Sequence, residues 1–279
     1  MSSSTQSALD ALLASLAGAV VYDLEQPRHP NMPVFPAHRP GYFYLLHRRH
    51  GDTYDPQHGD PRSSASGLIV TIDHTGTHID ALCHQADALT LYGGIPVDRA
   101  SETPAGFTAH DMAASRPLLT RGVLLDVAGH YGTPRLPPGY AVTREDLLAT
   151  ATAQGSEVRS GDVVLVRTGF ATLWDQPEAY LAAAGVSGAA SAWLAARGVA
   201  AVGSDNMAWD VVGAVDPELC CTLPGHLVLL ARHGIHIIEN LNLEELARDR
   251  RYEFAFFCAP VKWTGATGAP VRPVALCPT

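Results

Sequence analysis

The sequence predicts an α/β protein with a mixed β-sheet, built as one domain. Three observations carry this expectation. Stretches of strand and helical character interleave through the middle of the chain, and its opening and closing segments are strand-rich. No internal repeat or low-complexity linker divides the 279 residues. Hydrophobic residues make up 47% and charged residues 17%, a balance able to bury a sizeable core.

The elements follow in order. Residues 7–18 (SALDALLASLAG) read as a helix that Gly18 ends. Residues 26–43 (QPRHPNMPVFPAHRPGYF) carry too many prolines for regular helix or central strand. They predict an extended arm or loop, so that residues 1–60 form an N-terminal helix and arm. GLIVTIDH, residues 67–74, alternates with period two and puts Leu68, Val70, Ile72 and His74 on one face of a strand. Further strands are expected over 121–128, 161–169, 199–205, 234–240, 252–260 and 271–277. A helix starts after Thr143, with Asp146 completing a capping-box pattern, and Gly155 marks its end. Residues 187–198 and 241–249 are also helical in pattern.

Charge and composition exclude several functions. The formal net charge is −9 with no basic stripe, and Arg48-Arg49 is followed at once by Asp52, so no nucleic-acid partner is expected. The longest apolar run, residues 11–22, has 12 residues, short of the roughly 20 a spanning helix needs, so no membrane partner is expected. MSSSTQSALD lacks a basic segment before that run, which argues against a secretory signal. The five cysteines (Cys83, Cys220, Cys221, Cys258 and Cys277) are odd in number and show no CxxC spacing. That argues against a disulfide framework or a cysteine zinc site and makes the reducing cytoplasm the expected location.

The chemistry is concentrated in HTGTHIDALCH, residues 74–84, which packs His74, His78, Asp80 and His84 into one run of a chain with 13 histidines. A lone histidine is more often a structural filler than a ligand; four such groups at this spacing are not. His74 and His78 stand i, i+4, but Gly76 and the β-branched Thr75, Thr77 and Ile79 make a poor helix interior. On an extended segment His78 and Asp80 share a face, and a turn at Gly76 can fold His74 back toward it. Two imidazoles and one carboxylate leave coordination positions open, as catalytic sites do, whereas structural zinc sites are closed by four ligands. Such mixed ligands suit Zn²⁺, Mn²⁺ or Fe²⁺. His84, four residues beyond Asp80, can stand beside the metal as a general acid or base. Cys83 reads as a small buried filler.

The run matches the pattern HxGTHxDxxxH and resembles the cyclase family of metal-dependent hydrolases, which includes kynurenine formamidases and isatin hydrolases. MPVFP (32–36), GDVVLVRTG (161–169), IENLNLEEL (238–246) and KWTGATGAPVRPVAL (262–276) extend the resemblance over most of the chain. It implies a central mixed β-sheet or barrel-like core flanked by helices, in a homodimer or homotetramer. It also implies that His74, His78 and Asp80 hold the metal and that His84 transfers the proton. In two-metal members a second ion uses the same aspartate, a downstream histidine and the glutamate of ENL, which Glu239 matches. Here the sequence departs from the pattern. His226 lies thirteen residues before Glu239, where twelve is usual, and Leu227 takes the usual position. A one-residue shift within a helix turns a side chain by about 100°. One divalent ion, Mn²⁺ or Zn²⁺, is therefore expected, with His226 and Glu239 either orienting its ligands or holding a second ion. His233 and His236 are expected to be structural.

The expected activity is hydrolysis of a small cyclic or aryl amide, of the lactam type of isatin or the formamide type of formylkynurenine, by metal-activated water with His84 as base. Phe35, Tyr42, Phe43 and Trp209 are candidates for an aromatic wall of the substrate pocket. Two other readings stay open: a metal-dependent cyclase or dehydratase on the same site, and a non-catalytic metal-binding protein that His84 closes as fourth ligand. No GxSxG is present, which disfavours a serine hydrolase.

Overall fold

The computed structural model describes residues 3–279. Helix α1 (Ser3–Ala17) leads into β1 (Val20–Asp23). The arm that follows is not irregular throughout. Its aromatic and aliphatic run forms β2 (Tyr42–Arg48), which pairs antiparallel with β3 (Ser66–Thr71) as a separate two-stranded ribbon. The next strand is β4 (His78–Asp80). Then come β5 (Leu118–Asp126), helix α2 (Arg144–Gln154), β6 (Val163–Arg167), helix α3 (Gly188–Ala196) and β7 (Ala201–Ser204). A helical segment, α4, is α-type over Pro224–His226 and π-type over Leu227–Arg232. The chain ends with β8 (His236–Glu239), helix α5 (Glu244–Arg248), β9 (Glu253–Cys258), β10 (Gly268–Pro270) and β11 (Val274–Cys277).

Nine of these strands form one open mixed sheet in the order β1-β11-β9-β5-β6-β7-β8-β4-β10. Strands β5, β6, β7 and β8 run parallel, and the strands flanking them pair antiparallel. The sheet is covered on both faces, which explains why its central strands read as unbroken apolar runs. In β6, Val164 and Val166 enter one core with α2, α3 and α4, while Val163 and Leu165 enter a second core on the other face with α5 and the C-terminal strands. Close approach matters at Gly203 of β7, where a Cβ would come within 2.7 Å of Leu241 and 3.0 Å of Leu165.

Helix α2 is capped as its sequence indicates. Thr143 Oγ1 accepts from the Asp146 amide, Asp146 Oδ2 accepts from the Thr143 amide, and Gly155 closes the helix with φ +66°. Two strand expectations need correcting. The 67–74 strand stops at Thr71, because the chain turns into the loop that carries His74, so Leu68, Val70, Ile72 and His74 do not share a buried face. The 271–277 strand is divided: β10 ends at Pro270 and β11 starts at Val274, with Arg272-Pro273 interrupting the ladder. No helix among the described residues is long and apolar enough to cross a membrane.

Leu165 is fully buried at the centre of this sheet. Leu165→Ala is expected to lower the unfolding free energy by about 2–5 kcal/mol, read from urea denaturation followed by circular dichroism. A change below about 1 kcal/mol would show that the second core tolerates a cavity there.

Candidate metal centre

The register between β8 and β4 builds the centre. Glu239 stands directly opposite His78, and Ile238 opposite Ile79. Opposed residues share a face, so His78, Asp80 and Glu239 point into one side of the sheet while Ile79 and Ile238 pack into the second core on the other. The loop before β4 then turns at Gly76 (φ +69°) and brings His74 back over Asp80. Four hydrogen bonds pin this loop. The Arg28 guanidinium donates to the carbonyls of Thr75 and Thr77. Asn240 Nδ2 donates to the Gly76 carbonyl at 2.9 Å, and Thr77 Oγ1 donates to the Asn240 carbonyl at 2.7 Å. Asn240 does this from a left-handed backbone (φ +58°), a conformation asparagine tolerates better than most residues.

Three imidazoles have one nitrogen held from outside, so that the other nitrogen faces the centre. His78 Nδ1 donates to the Gly76 carbonyl at 2.8 Å, leaving Nε2 3.4 Å from Asp80 Oδ1 and 3.5 Å from Glu239 Oε2. His74 Nε2 lies 2.8 Å from Thr267 Oγ1, which donates to Asp73 Oδ2, and its Nδ1 stands 2.9 Å from Asp80 Oδ1. His226 Nδ1 donates to Asp210 Oδ2 at 2.8 Å, and Nε2 faces Glu239 Oε1 at 3.2 Å and Asp80 Oδ2 at 3.6 Å. Outer carboxylates that fix imidazoles in this way are the usual support of metal-binding histidines.

His226 corrects the expectation drawn from its spacing to Glu239. The π-type turns directly after it close i→i+5 rather than i→i+4 hydrogen bonds and so take up an extra residue, and His226 stays aimed at Glu239. His84 comes from the short 3-10 turn Leu82–His84. It stacks on His74 with ring centroids 3.9 Å apart and lies 5.9 Å from the His226 ring.

The electrostatics follow from burial. Burial raises the carboxyl of Glu239, and the charge of Asp80 raises it further. Burial also works to raise Asp80, but His84, His74 and His78 hold it well below the usual carboxylate range. Burial resists protonation of His226 and His78, yet the neighbouring carboxylates raise both. His84 is held well below the ordinary imidazole range by burial and by His74. The cluster therefore draws positive charge toward Asp80 and Glu239. Asp80 Oδ2 and Glu239 Oε1 are buried with no hydrogen-bond partner, which fits a bound cation. His74, His78 and Asp80 could hold a metal ion, and so could Asp80, His84 and His226. In each set the ligand atoms lie within 4.8 Å of one another.

A cavity of about 140 Å³ opens onto the cluster, with Phe35, Met207, Ala208 and Leu223 as its apolar wall. Of the four aromatic residues expected in that wall, Phe35 alone lines it. Trp209 is fully buried in the core and donates from Nε1 to Ser191 Oγ at 2.9 Å. Tyr42 packs against that same core, and Phe43 stands exposed on the ribbon. A larger groove beside Tyr131 and Tyr140, about 500 Å³, contains none of the cluster's residues.

Some site groups were not anticipated from the sequence. His38, in the turn Pro36–His38, stacks over His74 at 5.0 Å and lines the cavity. Asp210, Asp73 and Thr267 hold the histidines from outside. Asp73 directly precedes the motif, but nothing in its position marks its role; His38, Asp210 and Thr267 are brought there by the fold. His233 and His236 bond to the carbonyls of Val228 and Asp80, and the Cys83 thiol, pushed up to about 12 by burial, packs in the second core.

Comparisons with known proteins bear on family and fold. The Cyclase family model matches residues 22–211. A kynurenine formamidase from Paracidovorax citrulli (strain AAC00-1) is 25% identical over 268 residues, covering 91% of this chain and 95% of the relative. A solved structure described as a novel cyclase superposes with a TM-score of 0.82 at 30% identity, covering 95% of this chain and 89% of the other. An isatin hydrolase bound to the product analogue thioisatinate shares the fold, with a TM-score of 0.72 at 23% identity over the full length of both chains.

Removing the outer support should be felt at the centre. Asp210→Ala is expected to weaken Mn²⁺ binding about 10–100-fold in titration calorimetry, because His226 loses its anchor. Gly268→Ala should also weaken it, since its Cβ would sit 2.8 Å from the His74 ring. Unchanged affinity in both variants would show that these histidines need no outer support.

Proposed function

The chain belongs to the cyclase family, and from that premise we propose that it is a metal-dependent amidohydrolase acting on a small cyclic or aryl amide. The observation that carries this reading is the pair of buried carboxylates, Asp80 and Glu239, each with a partnerless oxygen and flanked by imidazoles whose outer nitrogens are already held. Asp80 presents Oδ1 to His74 and His78 and Oδ2 to His226. On that arrangement His74, His78 and Asp80 would hold a divalent ion, Mn²⁺ or Zn²⁺, and His226 and Glu239 would be the ligands on the other side of Asp80. Bound there, the metal would supply Lewis acidity toward the substrate carbonyl and a water of lowered pKa.

The chain's own residues do the rest. His84 lines the cavity beside the ligand histidines. From there its ring takes the proton of the attacking water and returns one to the departing nitrogen, as a single base-then-acid. Phe35 offers a ring edge or face to an aryl substrate, and Leu223 and Met207 complete an apolar wall that keeps bulk water from the scissile bond. The relatives named kynurenine formamidase and isatin hydrolase support formamides and lactams as the substrate class.

Two measurements test this. Purified protein loaded with Mn²⁺ is expected to open isatin or cleave an N-formyl arylamine, with loss of turnover on chelation and incorporation of ¹⁸O from labelled water. Product without ¹⁸O would favour a cyclase or dehydratase, and no turnover of either substrate by loaded, folded protein would refute the amide reading. His84→Ala is expected to reduce kcat by about 100-fold or more while leaving metal content unchanged; loss of metal in that variant would make His84 a ligand instead.

A further inference from the structure

Away from the metal centre, the turn that ends α5 breaks a rule of helix termination. The Arg251 amide donates to the Leu246 carbonyl at 2.9 Å and the Arg250 amide to the Ala247 carbonyl at 3.1 Å, the paired closure of a Schellman turn. That closure needs a left-handed residue, usually glycine, and here the residue is Arg250 (φ +52°). The turn thus presents two consecutive guanidinium side chains, Arg250 and Arg251, just before β9. Among the described residues neither side chain forms a hydrogen bond or an ion pair, and Arg251 Nε is buried without an acceptor. The acidic side chains around them are engaged elsewhere: Asp249 with Arg248 and the Tyr22 hydroxyl, Glu253 with Arg121, Asp126 with Arg167. Both arginines line a cavity of about 450 Å³, and Arg250 also lines an adjoining one of about 360 Å³. The two cavities share Tyr252 and Gln154, the last residue of α2. Gln154 is the second anomaly. Its Oε1 and Nε2 are both buried with no hydrogen-bond partner, although a side-chain amide can donate and accept at once. None of the metal cluster's residues lines either cavity.

We propose that this groove binds a small phosphate monoester of a purine nucleoside, with the phosphate on Arg250 and Arg251 and the base edge on Gln154. The charge fits. A guanidinium presents a planar fork of donors that matches phosphate oxygens, and two of them balance the roughly double negative charge of a monoester. The unpartnered amide fits as well. Gln154 is satisfied only by a group that offers a donor and an acceptor side by side, as the edge of adenine does when a glutamine reads it. Tyr252 borders both cavities and offers an aromatic ring to the base. Size agrees, because each cavity lies within the roughly 300–1,000 Å³ of small-molecule sites. The left-handed Arg250 then has a reason: strained residues persist where a ligand is clamped, and glycine there would remove half of the phosphate's partners.

Titration calorimetry on the full chain in phosphate-free buffer tests this, with adenosine monophosphate, inorganic phosphate and adenosine as probes. Adenosine monophosphate is expected to bind once per chain with a Kd below about 1 mM, more tightly than inorganic phosphate or adenosine. Arg250→Asn with Arg251→Gln is expected to weaken the monophosphate at least about 10-fold, asparagine being chosen because it tolerates the left-handed backbone. Gln154→Leu is expected to weaken the monophosphate about 3-fold or more and to leave inorganic phosphate unchanged. Absence of binding, full affinity in the arginine variant, or unchanged monophosphate affinity in the Gln154 variant would each overturn the proposal. So would wild-type binding that a chelator abolishes, which would place the anion at the metal centre. If the arginine variant does not fold, hydrogen exchange on the wild type decides. Amides of 154–156 and 250–253 should exchange more slowly at saturating adenosine monophosphate, and unchanged rates would overturn it.

Discussion

The rest of this structure depends on one electrostatic constraint: Asp80 and Glu239 are buried side by side across two paired strands. Like charges in a dry interior repel strongly, and removing each from water is costly on its own. Positive charge must come to them. The structure answers with three imidazoles, each tied on its outer nitrogen so that its free lone pair looks inward. The ties are themselves anchored: Asp210 by the backbone amides of Gly225 and His226, Asp73 through Thr267, and the Gly76 loop by Arg28 and Asn240. A site supported this way is pre-shaped for a cation, and little reorganisation is left for the moment of binding.

The sheet makes this constraint affordable. Apolar layers on both faces fix the register of β4 against β8, and a slip of β4 by one residue would turn His78 and Asp80 away from Glu239. The paired Ile79 and Ile238 lock that register from the far face by packing into the second core. Stability and chemistry thus meet in a few residues, and alternate positions on one short strand serve each. The ribbon is the part of the fold this logic does not cover. It projects from the segment that also supplies Phe35, His38 and His74 to the cavity, so whatever orders it also orders one wall of the site.

Much of this was legible in the sequence where the signal was local. The motif over 74–84 sits on a turn and a strand whose geometry follows from Gly76 and the β-branched neighbours, and the structure places all four of its polar groups together. The capping box at Thr143 and the doubly apolar VVLV strand were equally direct. What failed was non-local. Spacing alone left His226 open between orienting the ligands and holding a second ion, because periodicity cannot tell an α-turn from a π-turn that takes up an extra residue. Aromatic character alone put Trp209 in the pocket, yet its indole finds a hydroxyl partner inside the core. Alternation correctly marked 67–71 as strand but could not say that both of its faces would lie outside the core. His38 and Asp210 reach the site only through tertiary contacts.

The central claim is that a cation belongs between Asp80 and Glu239. Anomalous diffraction from crystals grown with Mn²⁺ tests it most directly. The account predicts anomalous density in contact with both carboxylate oxygens of Asp80, bounded by His78 on one side and by His226 and Glu239 on the other. Saturating Mn²⁺ that leaves this space empty, with the carboxylates and imidazoles contacting one another directly, would contradict it.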